Sequence, residues 1–252
     1  MNIVIITQDE PFYLGKPFSS FLDSLKLNHN IVGCVLLAAS PFGKRESFFT
    51  KAIRTLKVFG PSFFLYYGLL YIVSKVFKKN SISKILASHS IPIINLDSSI
   101  NSDRSIKKIK SLGADLSVSI LGNEIFKKPF LDLCPCLNLH TAPLPKYRGL
   151  MPTFWVLKNL EKETAVSIFL VDEGIDSGPI LVQRPVVIDN PKQSELIRKT
   201  KKIGLDAMLE AIDLMEIGNP KLIENNAADA TYFGFPGRAD VKDFFRVGGK
   251  FF

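Results

Sequence analysis

The sequence predicts an α/β fold: a Rossmann-like, mostly parallel sheet with helices on both faces, a helical insertion and a short C-terminal tail. Three observations lead there. Short apolar runs rich in β-branched residues recur along the chain, as in strands buried on both faces. Stretches with helical apolar spacing separate them, and that alternation implies a parallel sheet covered on both sides. There are no internal repeats and no low-complexity tail to suggest another architecture.

"NIVIIT" (2–7) reads as a central strand and "NIVGCVLLA" (30–38) as a second one. Between them, Phe18, Phe21, Leu22 and Leu25 share one helical face. Residues 46–80 form a basic, aromatic section expected to be a helical insertion, broken at Gly60-Pro61. A helix (81–90) leads to the strand "IPIINL" (91–96), and a second helix (105–113) closes at Gly113, a C-cap position. Strands follow at 114–121 and 135–140, a helix around Thr153–Asn159, strands at 165–172 and 180–188, and a last long helix at 194–217.

Bulk properties narrow the function without choosing it. The 46% hydrophobic and 22% charged fractions are those of an ordinary globular protein. A net charge of +8 fits an anionic partner or a soluble lysine-rich surface, and composition leaves both open. Cys34, Cys134 and Cys136 have no ligand-like spacing to the three histidines, which fits a reducing cytoplasm with neither disulfides nor metal. "MNIVIITQDEPF" lacks a basic leader. The run Phe63–Val73 falls short of the roughly 20 residues a spanning helix needs. Lysines flank it, so residues 61–79 read either as a peripheral membrane contact or as a helix buried on the core or in a homodimer seam.

Two stretches carry chemistry. In "CLNLHTAPLPKYRG" (136–149), Asn138 and His140 lie two apart on a strand and therefore project from one face. They stand at the carboxyl end, where ligands bind in sheets of this kind, and the prolines at 143 and 145 break the strand immediately after. In "VDEGIDSGPIL" (171–181), Asp172, Glu173 and Asp176 share a loop with Gly174 and Gly178, which permit close backbone approach to a ligand. If the two stretches meet, a carboxylate can orient His140 and favour its protonated form. Taken singly, the first stretch is equally a buried histidine beside a turn, and the second an Asx-type turn.

Together, "NLHTAPLPKYRGLMPTFW" and "DEGIDSGPIL" resemble the folate-dependent formyltransferases, which share an N-x-H strand, an L-L-P-x-Y/W-R-G loop and a D-x-G-x-D-x-G loop in this order. The resemblance is strong over about 110–185 and looser back to the first strand. It implies a catalytic domain over 1–190, carrying the insertion, with the helix and tail of 191–252 packed on it. It also implies 10-formyltetrahydrofolate as formyl donor, no metal, and Asn138, His140 and Asp176 as catalytic residues. The pterin would lie against 117–123 and 171–176, with Ile120, Leu121 and Gly122 as floor and Asp172, Glu173 and Gly174 beside it. Tyr147 and Arg148 are the residues expected to meet the acceptor or shape its pocket. Ala142-Pro143 stands where many members read Ser-Leu, a change expected to alter loop packing rather than chemistry.

For the acceptor, the resemblance leaves a primary amine. Only 76 of the 252 residues follow Asp176, fewer than the tRNA-binding barrel of about 100 residues carried by methionyl-tRNA formyltransferases, so no nucleic acid is expected. The loop after the first strand, "TQDEPFYLGKPF", lacks the glycine-rich phosphate loop of the glycinamide ribonucleotide enzymes. An amino sugar linked to a nucleotide, of surface-polysaccharide (lipopolysaccharide) biosynthesis, is the expected acceptor. The alternatives are a formyltetrahydrofolate hydrolase, a lipid-linked amino sugar or methionyl-tRNA.

Overall fold

Five consecutive buried residues, Ile3 to Thr7, make β1 (Asn2–Gln8) the axis of the sheet. The protein is described by a computed structural model covering residues 1–10, 12–37, 47–77 and 81–252. One seven-stranded sheet runs in the order β3-β2-β1-β4-β5-β7-β8. β2 (Asn30–Leu37), β3 (Ile93–Ile94), β4 (Leu116–Ser119) and β5 (Cys136–His140) continue parallel from β1, as the sequence predicts. The run 91–96 yields only two paired residues, because β3 is an edge strand with no outer neighbour to extend it.

α1 (Gly15–Asn28) buries Phe18, Phe21, Leu22 and Leu25 in the main core, beside β1. α4 (Ile82–Ser88), α5 (Asp103–Lys110) and the single turn α6 (Lys128–Leu131) make the remaining crossovers. α5 and α6 belong to a second core, in which Ile109 and Phe130 lie with Val4, Ile6 and Val35 of the sheet. That two-sided burial is why β1 reads as an unbroken apolar run. The insertion is a hairpin of α2 (Phe48–Phe59) and α3 (Pro61–Phe77), broken at Gly60. Residues 46 and 78–80 of the expected insertion, and 38 of the expected second strand, lie outside the described set.

The structure corrects the sequence reading on two points. β7 (Glu163–Leu170) is antiparallel to β5, and β8 (Ile180–Val187) is antiparallel to β7. β7 therefore enters level with His140 and leaves level with Leu137, so the acidic loop departs near the start of β5, not its carboxyl end. It must reach back about 10 Å, three residues of strand, to meet His140. The second correction concerns the tail. α8 (Gln193–Ile217) is not the last helix, since α9 (Arg238–Arg246) follows it. Before α9, β9 (Tyr232–Phe233) pairs with β6 (Arg148–Gly149) in a separate two-stranded sheet, just ahead of α7 (Pro152–Lys158).

Candidate active site

Asn138 sits on β5 between Ser119 of β4 and Phe169 of β7. His140 is buried two residues further on, and its Nε2 lies 2.8 Å from the Tyr147 carbonyl oxygen. A carbonyl only accepts, so Nε2 carries hydrogen and Nδ1 is the edge left for other contacts. Asp176 Oδ2 lies 3.5 Å from that Nδ1. The Nδ1 edge of the ring is thus turned towards the carboxylate.

The return of the acidic loop is held by named contacts. Asp176 has φ 49°, in the left-handed region that Asp adopts more readily than most residues. Its Oδ2 accepts the Gly149 N–H at 2.8 Å. Asn225 Nδ2 donates to the carbonyls of Asp176 and Gly178, at 2.9 and 2.8 Å. Gly178 itself has no room for a side chain, since a Cβ there would stand 1.7 Å from the Leu170 carbonyl oxygen. Asp172 works inside the loop, where its Oδ1 accepts from Gly174 N–H and Ser177 Oγ. Glu173 is exposed.

Two cavities meet at this point. The smaller, about 170 Å³, includes Ile120, His140, Thr141 and Lys201. The larger, about 490 Å³, includes Ser119, Phe126, Phe169, Val171 and Gly174. Asn138, Asp176, Leu121, Gly122 and Gly149 line both, so the amide and the carboxylate stand at the junction. Three non-glycine residues with left-handed backbone, Leu121, Met151 and Asp176, line the larger cavity, and such strain concentrates at sites where ligands are held.

The larger cavity suits a flat heteroaromatic ring. Its walls are aromatic and branched side chains, and the buried Ser119 Oγ has no hydrogen-bond partner among the described residues. An orphaned hydroxyl on an apolar wall is a place for a ligand polar atom. Among the described residues no group of three or more His, Cys, Asp and Glu is arranged to hold a metal.

Tyr147 and Arg148 line neither cavity. Tyr147 is buried, stacks on Phe233 with centroids 5.2 Å apart, and donates its hydroxyl to Glu161 at 2.6 Å. Burial, with the Glu161 bond, pushes its phenol up to about 12. Arg148 donates to the Asn225 carbonyl and side-chain oxygens, at 3.1 and 2.7 Å, and so braces the residue that ties down the Asp176 loop. Tyr147→Phe should lower stability by about 1 kcal/mol, a melting shift of about 2–4 °C, with turnover unchanged. Melting curves and initial rates on the same preparation check this.

Glu10 and Lys201 are residues that motif reading misses. The Glu10 carboxylate accepts the N–H groups of Phe12, Tyr13 and Leu14, closing the entry to α1 against any other anion. It also pairs with Lys201 Nζ at 2.8 Å. Lys201 is buried on α8 in register with Leu205 and Met208, so a lysine in an otherwise apolar stripe is the signal that could have found it. Desolvation pulls its ammonium below the usual 10.5, with Glu10 opposing. The folded state thus holds the proton less tightly than the unfolded chain, and the group's contribution to stability grows as pH rises towards 10.5. Lys201→Met should melt no lower than the parent at pH 7 and lose its alkaline gain. Glu10→Gln, which strands the buried ammonium, should cost about 3–5 kcal/mol. Melting series from pH 7 to 10 separate the two.

With this geometry established, comparison places the chain among known proteins. A model of the formyl transferase family matches residues 68–212, more than half of the chain. The chain belongs to the formyl transferase family. It is 36% identical over 140 residues to a methionyl-tRNA formyltransferase of Thermodesulfovibrio yellowstonii, covering 54% of this chain and 45% of that protein. The chain thus spans about half the length of such curated relatives. In fold it is similar to a sugar N-formyltransferase from a Shewanella species, with TM-score 0.61 and 19% identity over 98% of this chain and 88% of the other. It also resembles the N-formyltransferase of Helicobacter canadensis in complex with folinic acid and dTDP-3-aminofucose, with TM-score 0.57 and 15% identity over 98% and 80% of the two chains.

Proposed function

We propose that this protein moves a formyl group from 10-formyltetrahydrofolate to the primary amine of a small anionic acceptor, an amino sugar carried on a nucleotide. The observation that carries this reading is the junction of two cavities at Asn138 and Asp176, with His140 beside them. A transfer between two substrates needs two chambers opening on one reacting atom. The larger chamber would take the pterin and the smaller one the amine. Leu121, Gly122 and Gly174 lie at the pterin side; Ile120 lines the smaller chamber only.

The chain's own groups supply the rest. Asn138 Nδ2 and the Nδ1 edge of His140 donate to the oxygen that gains charge as the amine adds to the formyl carbon. Asp176 holds the imidazole and takes the proton that the amine sheds. As the carbon–nitrogen bond to the folate breaks, that proton passes to the departing nitrogen, leaving an N-formyl amine and tetrahydrofolate. Asp172 and Glu173 act on loop shape and local charge, and Tyr147 and Arg148 brace the loop around the acceptor chamber. The product belongs to surface-polysaccharide synthesis in the cytoplasm.

One fact favours an amino sugar over a ribonucleotide or tRNA acceptor: the Helicobacter enzyme, similar in fold over nearly the whole chain, was crystallised with a nucleotide amino sugar. The sequence relatives favour methionyl-tRNA, which is the second reading. The test is tetrahydrofolate release from 10-formyltetrahydrofolate with a panel of nucleotide amino sugars, charged methionyl-tRNA or no amine. Release driven by an amino sugar supports the proposal; release only with the tRNA, or equally without amine, overturns it.

A further inference from the structure

The α2–α3 hairpin presents two exposed apolar stripes among the described residues. On α2 these are Ile53 and Leu56; on α3 they are Leu65, Leu69, Ile72, Val73 and Val76. Their spacing puts each set on one helical face, and each residue is between 41% and 69% exposed. The opposite side of the hairpin is fully engaged. Phe59 and Phe63 stack at 4.5 Å and pack on Phe251, while Tyr66 stacks on Phe252.

We propose that this hairpin docks the enzyme on the surface of an anionic lipid bilayer. Charge selects that occupant. No Asp or Glu occurs between Glu46 and Asp97, whereas Lys51, Arg54, Lys57, Lys75 and Lys84 all fall there. Lys57 and Lys84 are exposed. Exposed aliphatic stripes bordered by one sign of charge suit a negatively charged interface. A second copy of the chain answers less well, because the hairpin, residues 47–77, offers no acid to meet the lysines of its own copy. Among the described residues no helix is long and apolar enough to cross a membrane, so α3 lies along the surface.

The same hairpin touches neighbours of both chambers without lining either. Arg54 stands over the Phe235 ring, and Phe235 lines the larger chamber. Tyr67 hydrogen-bonds Tyr13 at 2.5 Å, and the Tyr13 ring faces Lys201 of the smaller one. The docking does not depend on the transferase reading above.

Co-sedimentation with vesicles of phosphatidylglycerol and phosphatidylcholine, against phosphatidylcholine alone, tests the docking. The parent chain should bind the anionic vesicles only. Leu69→Ser/Ile72→Ser and, separately, Lys57→Glu/Lys84→Glu should each weaken binding about tenfold, with unchanged melting and unchanged folate turnover on soluble amines. The charge pair leaves the apolar stripe intact, so it keeps the test valid should the serine pair unfold. No binding, binding indifferent to the aliphatic pair, or a solution dimer abolished by that pair would overturn the proposal. Docking without any folate turnover would sink the transferase reading and leave this one standing.

Discussion

Replacing His140 by alanine should lower formyl transfer by about 10²–10³, and Asn138→Ala should do the same, because in the proposed mechanism each removes one donor from the developing oxyanion. The two should not multiply. They act on one oxygen in one chamber, so the double variant falls only modestly below either single one. Asn138 is the cleaner probe, since no protein group among the described residues depends on its amide. His140 also contacts the Tyr147 carbonyl, and its loss loosens the loop that brings Gly149 to Asp176. Rates at saturating folate, measured beside melting temperature, separate these contributions: the Asn138 variant should keep the parent melting curve while losing its rate.

Gly178→Ala carries the largest expected loss of stability. Its Cβ would stand 1.7 Å from the Leu170 carbonyl oxygen and 2.9 Å from the carbonyl carbon, both backbone atoms that no rotamer change can move. Overpacking usually costs about 1–3 kcal/mol. Here the strand end or the loop must shift as a whole, so the cost should exceed about 4 kcal/mol. The Asn225 bonds to Gly178 and Asp176 would break together, and activity should fall with stability. Asp176→Asn provides the contrast. Asn tolerates the left-handed backbone at 176 and can still accept from Gly149, so it should fold normally and lose turnover alone. Urea unfolding of both variants, with initial rates, decides between these outcomes.

The parallel half of the sheet was legible chiefly because β1 buries both faces, which writes an unbroken apolar run. The direction of β7 was not, since burial patterns carry no arrow. "AVSIFLVD" looks the same whether it runs with β5 or against it. The acidic loop leaves β7 near the start of β5, and Asp176 still arrives at His140. Motif reading also named Tyr147 and Arg148 for the acceptor, where the structure shows them packed and braced. Their partners, Phe233 and Asn225, lie 86 and 77 residues away in sequence, and only the tail's return brings them together. Lys201 and Glu10 stand 191 apart and belong to no motif, so only the fold pairs them.

The most direct test is a crystal structure with 5-formyltetrahydrofolate bound. The account predicts the pterin in the chamber lined by Phe126, Phe169 and Val171, with the formyl group within hydrogen-bonding reach of Asn138 and next to His140 and Asp176. A folate bound elsewhere, or a formyl group turned away from all three side chains, would contradict it.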